Sequence, residues 1–404
     1  METQFALVEE EINTGLYYLG LVLEEYTSLE CLVSIRNQMV SMSAEEALSK
    51  NQAKAINIAI EALFKSKQNN LAIEDFKSTY NAHINTRLSL ESIKDKVKEM
   101  ISKIIEWIKK AVEWVLHALT GFDDIYNSIG DRALELNNRS QRLKDTAPNI
   151  KAIKNNKLAN FFSKTDRNRK TNSLYTEKEI SDLYTKHTQT TSPMFCVYFV
   201  KNLIKEIDVL TKDIRQSKGM HELLKEIDLL ISKIINDRLI FLHKDSSTTE
   251  DNKTIVKYSH DFEFGDHILN CETISIDNKF KSIDFSVSKY PESLRLPENT
   301  LLPVLSISAI KDLTNKIQNE MLFGNIRNTK QITKDIKNLQ VFIELTLKEL
   351  ELQDRSDEKE DLLILNFVKD ITNSILVVVN LMYKYDAKVA SNILDYCDGS
   401  IKCY

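Results

Sequence analysis

The sequence predicts a mainly α-helical protein, an elongated bundle of long helical hairpins with one small antiparallel β insertion at about 253–290. Three observations support this fold class. The 404 residues include only 8 Gly and 5 Pro, so few positions interrupt a helix. Apolar residues recur every three or four positions over most of the chain, as in amphipathic helices. The period changes to two only between 253 and 290, which indicates β-strands.

The first predicted domain, residues 1–165, is a bundle of helices. Helices over 5–41 and 44–66 are joined by a short turn, so they are expected to form an antiparallel hairpin. Ser43 and Glu46 form a capping box that starts the second helix.

Three glycines of this domain are expected to allow close packing or to end a helix. Gly15 and Gly20 lie inside the first helix, where glycine is unfavourable, so we expect close packing against a neighbour. Gly121 is placed to end a helix that Ser89 opens. Further helices are predicted around 73–80, over 123–143 and up to about Phe162.

Three more domains are predicted after a polar, basic linker at 163–173. They are a helical hairpin at 174–245, a small β insertion at 253–303 and a C-terminal helical bundle at 304–404. Thr176 and Glu179 form a second capping box, at the start of the hairpin. The hairpin consists of helices over 193–217 and 220–243, and the C-terminal bundle of helices over 306–323, 328–354 and 357–396.

The β insertion is predicted from alternation of apolar and polar residues. Ile274 and Ile276 precede Asp277-Asn278, and Ile283 and Phe285 follow it, each separated by polar residues. This pattern indicates a β-hairpin. The sequences TIVKYSH and DFEF are expected to add further strands.

Composition and charge indicate a globular protein in a reducing compartment. Hydrophobic residues make up 42% and charged residues 28% of the chain, which excludes wholesale disorder. A net charge of −5 argues against a protein whose whole surface binds nucleic acid. The five cysteines are scattered and odd in number, which favours free thiols. Cys31 and Cys196 fall on apolar faces, so we expect them to be buried.

Neither a secretion signal nor a membrane span is predicted. The N-terminal sequence METQFALVEEEIN is acidic, where a signal peptide would be basic. The apolar run ILVVVNLM at 375–382 is far shorter than the roughly 20 residues of a transmembrane helix.

One cluster of titratable residues, HDFEFGDH at 260–267, contains side chains of the types that bind divalent metals. In a strand, however, Asp261 and Glu263 point to one face and His260 to the other. We therefore interpret this segment as a solvated hairpin edge. The chain also lacks the phosphate-binding, nucleophile-elbow and zinc-protease motifs. We predict no catalytic residues, metal, cofactor or small-molecule substrate.

Basic charge is concentrated between residues 139 and 170, which hold ten Lys or Arg and two Asp. Such a stretch can neutralise DNA phosphates, and a solvated helix face followed by a linker is the alternative. The candidate nucleic-acid contacts are Arg139, Arg142, Lys144, Lys151, Lys154, Lys157, Arg167, Arg169 and Lys170.

The segment IKDKVKEMISKIIEWIKKAVEWVL, residues 93–116, is an amphipathic helix with two tryptophans. Between 94 and 117 it carries six lysines and four acidic residues, whereas a helix lying on a membrane surface normally has a more cationic polar face. Burial against the 5–41 and 44–66 hairpin is therefore favoured. The candidate residues for packing, or for membrane contact, are Ile93, Val97, Ile104, Trp107, Ile108, Trp114 and Val115.

Several stretches up to residue 143 share a pattern with a known family. They are VSMSAEEA, AINIAIEALF, LAIEDFKSTYNAHINTRLSLESIKDKVKEMISKIIEWIKKAVEWVL and GDRALELNNRSQRLK. Ile73, Glu74 and Phe76 match a short helix of that family. Leu90, Glu91, Ile93, Trp107 and Trp114 match its amphipathic helix. In the order of its elements, this third of the chain resembles the internal head proteins of large contractile-tailed bacteriophages.

The resemblance implies a non-enzymatic structural protein, packaged in the capsid with the genome, a candidate for ejection with it, and present in the host cytoplasm during assembly. The implied partners are other virion or capsid proteins, genomic DNA through 139–170, and a maturation protease that cuts after a small-x-Glu sequence. Matches to that sequence are Ser28-Leu29-Glu30, Ser43-Ala44-Glu45, Ala72-Ile73-Glu74 and Ser89-Leu90-Glu91. The alternative function is a membrane-perturbing or pore-associated effector acting through helix 93–120.

Overall fold

The computed structural model describes residues 2–45, 58–59, 82–143, 147–166, 171–190, 243–250, 252–262, 264, 267–276, 279–289, 296, 299–352 and 358–404. The described chain is mainly helical with a small antiparallel sheet, as predicted. The helices are α1 (Glu2–Glu45), α2 (Ala82–Gln141), α3 (Asn156–Phe161), α4 (Glu177–Thr190), α5 (Ile307–Asn319), α6 (Ile326–Leu352) and α7 (Glu358–Ile401). A π-helical segment, Glu320–Asn325, joins α5 to α6 and is called the π-turn.

Three antiparallel sheets accompany the helices in the described residues. The strands are β1 (Ala152–Lys154), β2 (Ser163–Asp166), β3 (Thr171–Leu174), β4 (His243–Glu250), β5 (Lys253–Asp261), β6 (His267–Ile276), β7 (Lys279–Lys289) and β8 (Leu301–Pro303). The order β4-β5-β6-β7 forms a meander, while β1 pairs with β8 and β2 with β3. The β2–β3 pair occupies most of the segment that the sequence suggested as a linker.

The chain folds into two compact units. The first comprises Met1–Asn13, Val112–Phe342 and Asp370–Tyr404, and the second comprises Thr14–Ala111 and Ile343–Lys369. Helices α1, α2, α6 and α7 each contribute residues to both units. The division into four domains remains a prediction.

Helix α1 confirms the predicted helix over 5–41 and extends it at both ends. Its buried apolar side chains recur every three or four residues, as the sequence pattern requires. The expectation of a buried Cys31 is wrong, because that thiol is exposed. At Gly20 a Cβ would meet no described atom within 4 Å, so the described residues do not account for this glycine by close packing.

Helix α2 corrects the prediction that Gly121 ends a helix. The helix runs unbroken for 60 residues to Gln141 and so includes nearly all of the segment 123–143, which the sequence presented as a separate helix. A Cβ at Gly121 would lie 2.4 Å from Val8 Cγ2. This glycine therefore permits close approach of α1 inside the first unit, and Gly130 similarly faces Leu322.

The start of α4 confirms the predicted capping box. The Thr176 backbone N–H donates to Glu179 Oε2 at 2.8 Å, and the Glu179 N–H donates to Thr176 Oγ1 at 3.3 Å. Glu179 also accepts a hydrogen bond from Lys164. That ammonium, followed by the Thr176 bonds, lowers the pKa of Glu179 to about 2.

The four-stranded sheet confirms the β insertion and the strand at TIVKYSH, which lies in β5. A strand at DFEF is wrong, because β5 ends at Asp261 and neither Phe262 nor Phe264 is in a strand. The sheet also adds β4, which was not predicted. Residues 246–249 of β4 are exposed, and the sequence HKDSSTTE has no apolar alternation that would signal a strand. Across the other strands, Tyr258 pairs with Cys271 and Cys271 with Phe285, and all three are buried.

The interpretation of 260–267 as a solvated edge is wrong for its aromatic residues. Phe262 and Phe264 are buried, and the Phe262 ring stacks on Tyr385 with centroids 4.1 Å apart. The Tyr385 hydroxyl accepts from the Phe264 N–H and donates to the Phe264 carbonyl. The segment thus docks on α7 within the first unit.

The C-terminal helices differ from the prediction mainly in how the first two of them are joined. The sequence indicated separate helices over 306–323 and 328–354, whereas α5 continues through the π-turn into α6. The predicted helix over 357–396 is α7, which runs past Gly399 to Ile401.

Several predicted features lie outside the described residues. They are most of the helix over 44–66, the helix around 73–80, the helices over 193–217 and 220–243, the Asp277-Asn278 turn and Cys196.

Candidate functional site

The apolar stripe of α2 is buried in both units. Ile93, Val97, Ile104 and Ile108 are buried in the second unit, and Val115 is buried in the first. Trp107 and Trp114 are half-buried. The role of these residues as an interaction surface remains a prediction.

The polar face of α2 is partly neutralised by pairs of opposite charge. Glu99 binds both Lys96 and Lys103 at 2.7 Å, and Glu106 binds Lys110 at 2.6 Å. These pairs, one helical turn apart, reduce the positive charge available to an anionic lipid surface. In the described part of the chain, no helix is long and apolar enough to span a membrane.

The nine candidate nucleic-acid contacts of the basic segment fall into three groups. Arg139 binds Asp398 at 2.8 Å and is half-buried. Four others are exposed and form no ion pair within the described residues: Arg142, Lys151, Lys154 and Lys157. The remaining candidates lie outside the described residues: Lys144, Arg167, Arg169 and Lys170.

Both ends of the stretch from 139 to 150 are attached to the C-terminal end of α7. Arg139 reaches Asp398 at one end, and the Asn149 and Ile150 N–H groups donate to the Cys403 carbonyl at the other. Arg142 and Lys151, which lie next to these anchors in the sequence, are therefore placed at the same end of the first unit.

A buried polar cluster that sequence reasoning missed lies in the first unit. His187 Nε2 is 2.9 Å from Asp386 Oδ1, and both side chains are completely buried. The Asn325 side-chain amide donates to Asp386 Oδ2 at 2.6 Å. The cluster thus joins α4, the π-turn and α7. The available signal was a histidine and an aspartate on otherwise apolar helix faces.

Glu320 extends this cluster at the first residue of the π-turn. Burial, with a contribution from the charge of Asp386, raises the pKa of Glu320 to about 7, and His187 opposes the shift. Burial also raises the pKa of Tyr184, a tyrosine one turn before His187 in α4.

A third carboxylate, Asp123 of α2, interacts with Thr329 of α6, four residues after Asn325. The Thr329 hydroxyl donates to the Asn325 carbonyl at 2.9 Å and also interacts with the Asp123 carboxylate. Burial raises the pKa of Asp123. Polar side chains of α2, α4, α6 and α7 are therefore linked, directly or through one another, to Asn325 of the π-turn.

The chemistry available at this cluster is limited by its burial. The described residues contain no group of three or more His, Cys, Asp or Glu side chains arranged to hold a metal ion. Cys397, which lies further along α7 and outside this cluster, is no better suited to catalysis: burial raises its pKa to about 12, so its thiol is almost entirely protonated near neutral pH.

Comparison with known proteins identifies the family. No curated protein and no solved structure matches the chain. The family profile described as phiKZ-like phage internal head proteins matches residues 6–399, far beyond the N-terminal third on which the resemblance rests. The chain therefore belongs to the phiKZ-like phage internal head proteins, structural proteins of the virion that lie inside the capsid.

Proposed function

We propose that this internal head protein performs no catalysis and that its first unit contacts packaged DNA. The contact surface, called the basic surface, consists of Arg142, Lys151, Lys154 and Lys157. The observation that carries the proposal is that these four cations are exposed and form no ion pair within the described residues. Each phosphate that they neutralise would release a condensed counterion and favour binding.

Neighbouring cations of the same unit are compensated by carboxylates. Arg132 binds Asp395 at 2.7 Å. Arg139 and Lys402 share Asp398, and Arg139 also lies 3.9 Å from Glu135. Within the described residues, these three cations are therefore balanced by three carboxylates, whereas the basic surface forms no ion pair. The chain as a whole carries a net charge of −5, and its repulsion from DNA would limit binding elsewhere.

The absence of catalysis is supported by where the polar residues lie. His187 and Asp386, the pair most like a general base with its orienting carboxylate, are completely buried. A catalytic base must reach a substrate proton within hydrogen-bonding distance. A substrate could not reach this pair without local unfolding, so the pair is assigned a structural role.

The partners are other virion components, and we propose a maturation protease among them. Proteases cleave exposed, locally unfolded backbone most readily. Leu29 of the first candidate sequence is buried within α1, whereas Glu45 lies at the end of that helix. We therefore expect any cleavage of α1 to follow Glu45, and N-terminal sequencing of the protein from intact particles would reveal a chain beginning at Glu46.

Replacing all four residues of the basic surface with glutamine is expected to weaken binding to double-stranded DNA at least tenfold near 0.1 M salt. The plot of log affinity against log salt should become shallower by about 0.9 for each phosphate that the protein no longer neutralises. Fluorescence anisotropy with a labelled duplex, at several salt concentrations, measures both quantities.

A matched control removes four other exposed cations of the first unit, Lys178, Arg327, Lys334 and Lys337. This variant has the same net charge as the first. If both variants lose the same affinity and slope, only net charge matters, and the basic surface is not where DNA binds.

A further inference from the structure

In the buried cluster, the two carboxylate oxygens of Asp386 contact two different structural elements. Asp386 Oδ1 faces His187 of α4, and Oδ2 accepts from Asn325 at the end of the π-turn. All three side chains are completely buried. A carboxylate in such surroundings depends on its partners, because no water compensates for a missing hydrogen bond or charge.

Glu320, at the other end of the π-turn, folds back over the same segment. A Cβ at Gly324 would lie 2.6 Å from Glu320 Oε1, so the carboxylate rests against the backbone of the π-turn. Single-turn π segments within α-helices are rare and often mark functional positions. Here the first residue of the segment, Glu320, carries a carboxyl group. The side-chain amide of its last residue, Asn325, donates a hydrogen bond to the Asp386 carboxylate.

Within the described residues, the charges acting on Glu320 come from α7 and α4, and a further group of charges lies beside the end of the π-turn, on α2 and α6. Asp386 of α7 repels a charged Glu320, and His187 of α4 attracts it. Burial, followed by the charges of Asp386 and Glu320, raises the pKa of Tyr184 of α4. On the α2 side, Asp123 lies near Thr329 and is attracted by Lys330 of α6.

We propose that this cluster is a proton-linked latch, in which the π-turn is held against Asp386 while Glu320 is neutral and loosens when Glu320 becomes charged. A second negative charge beside buried Asp386 is unfavourable because both carboxylates are poorly solvated. Loosening relieves that repulsion by admitting water or by moving Glu320 outward. It also withdraws Asn325 from Asp386. This inference does not depend on DNA binding.

The direction of the pH effect follows from the raised pKa of Glu320, about 7 instead of 4.5. The folded protein binds this proton more tightly than the unfolded chain does. The stabilisation is complete below pH 4.5 and is lost as pH rises through about 7. The protein is therefore poised to respond near neutral pH.

The test is amide hydrogen exchange of the full chain, read by mass spectrometry over residues 320–329 between about pH 5.5 and 8.5, on either side of the raised pKa. After correction for the intrinsic pH dependence of exchange, wild-type protection should fall at least tenfold as pH rises. In Glu320→Gln, which cannot ionise, protection should not change with pH. Glu113→Gln, at an exposed glutamate of α2, should behave as wild type.

Two outcomes would overturn the latch. One is wild-type protection of 320–329 that does not change with pH. The other is an equal loss of protection in wild type and Glu320→Gln, which would assign the pH dependence to another group. The urea midpoint of the full chain provides a second measurement: the advantage of Glu320→Gln over wild type should appear only at high pH.

Discussion

Replacing Asp386 with alanine is expected to lower the free energy of unfolding of the first unit by about 3–5 kcal/mol, the usual cost of removing one partner from a buried charged pair. His187 and Asn325 both lose this acceptor, and both are completely buried. The loss would appear as a lower urea midpoint, followed by circular dichroism.

Asp395→Ala is the matched control for Asp386→Ala, nine residues further along the same helix. Asp395 binds Arg132 at 2.7 Å but is exposed, and exposed ion pairs contribute less than about 1 kcal/mol. A similar midpoint for the two variants would contradict the view that the buried cluster stabilises the first unit.

Replacing Gly121 with valine is expected to destabilise the first unit by about 2 kcal/mol through overpacking. A Cβ there would lie 2.4 Å from the Cγ2 of buried Val8. Because a β-branched side chain in a helix has few rotamers, Val8 cannot turn aside easily. Urea unfolding, combined with hydrogen exchange of residues 112–130, locates the loss in the first unit.

Gly20→Val is the control for the intrinsic effect of replacing a helical glycine. A Cβ at Gly20 would meet no described atom within 4 Å, so its stability should change by less than about 0.5 kcal/mol in either direction. The interpretation of Gly121 fails if Gly121→Val is as stable as Gly20→Val.

Features that depend on neighbouring residues could be predicted from the sequence. The apolar period predicted α1, and the Thr176 and Glu179 spacing predicted the capping box that begins α4. The alternation around Ile274 and Phe285 predicted the β6–β7 pair. In each case the interaction joins residues that are close in the chain or follow one period, so the pattern itself carries the information.

Only some of the candidate functional residues could be predicted from the sequence. The basic segment could be found by counting charges, but the four residues of the basic surface could not be separated from Arg139 without Asp398, a residue 259 positions away from that arginine. The buried cluster was not predicted at all. His187 and Asp386 are 199 positions apart, and neither belongs to a local motif.

The sequence by itself determined the helical class, the positions of most described helices and the β insertion, because hydrophobic period and capping act over a few residues. Only the tertiary structure decided that Gly121 continues a helix, that Phe262 and Phe264 are buried, and that His187 meets Asp386. The physical reason is that a glycine, an aromatic ring or a buried charge takes its role from the atoms packed against it, and those atoms come from distant parts of the chain.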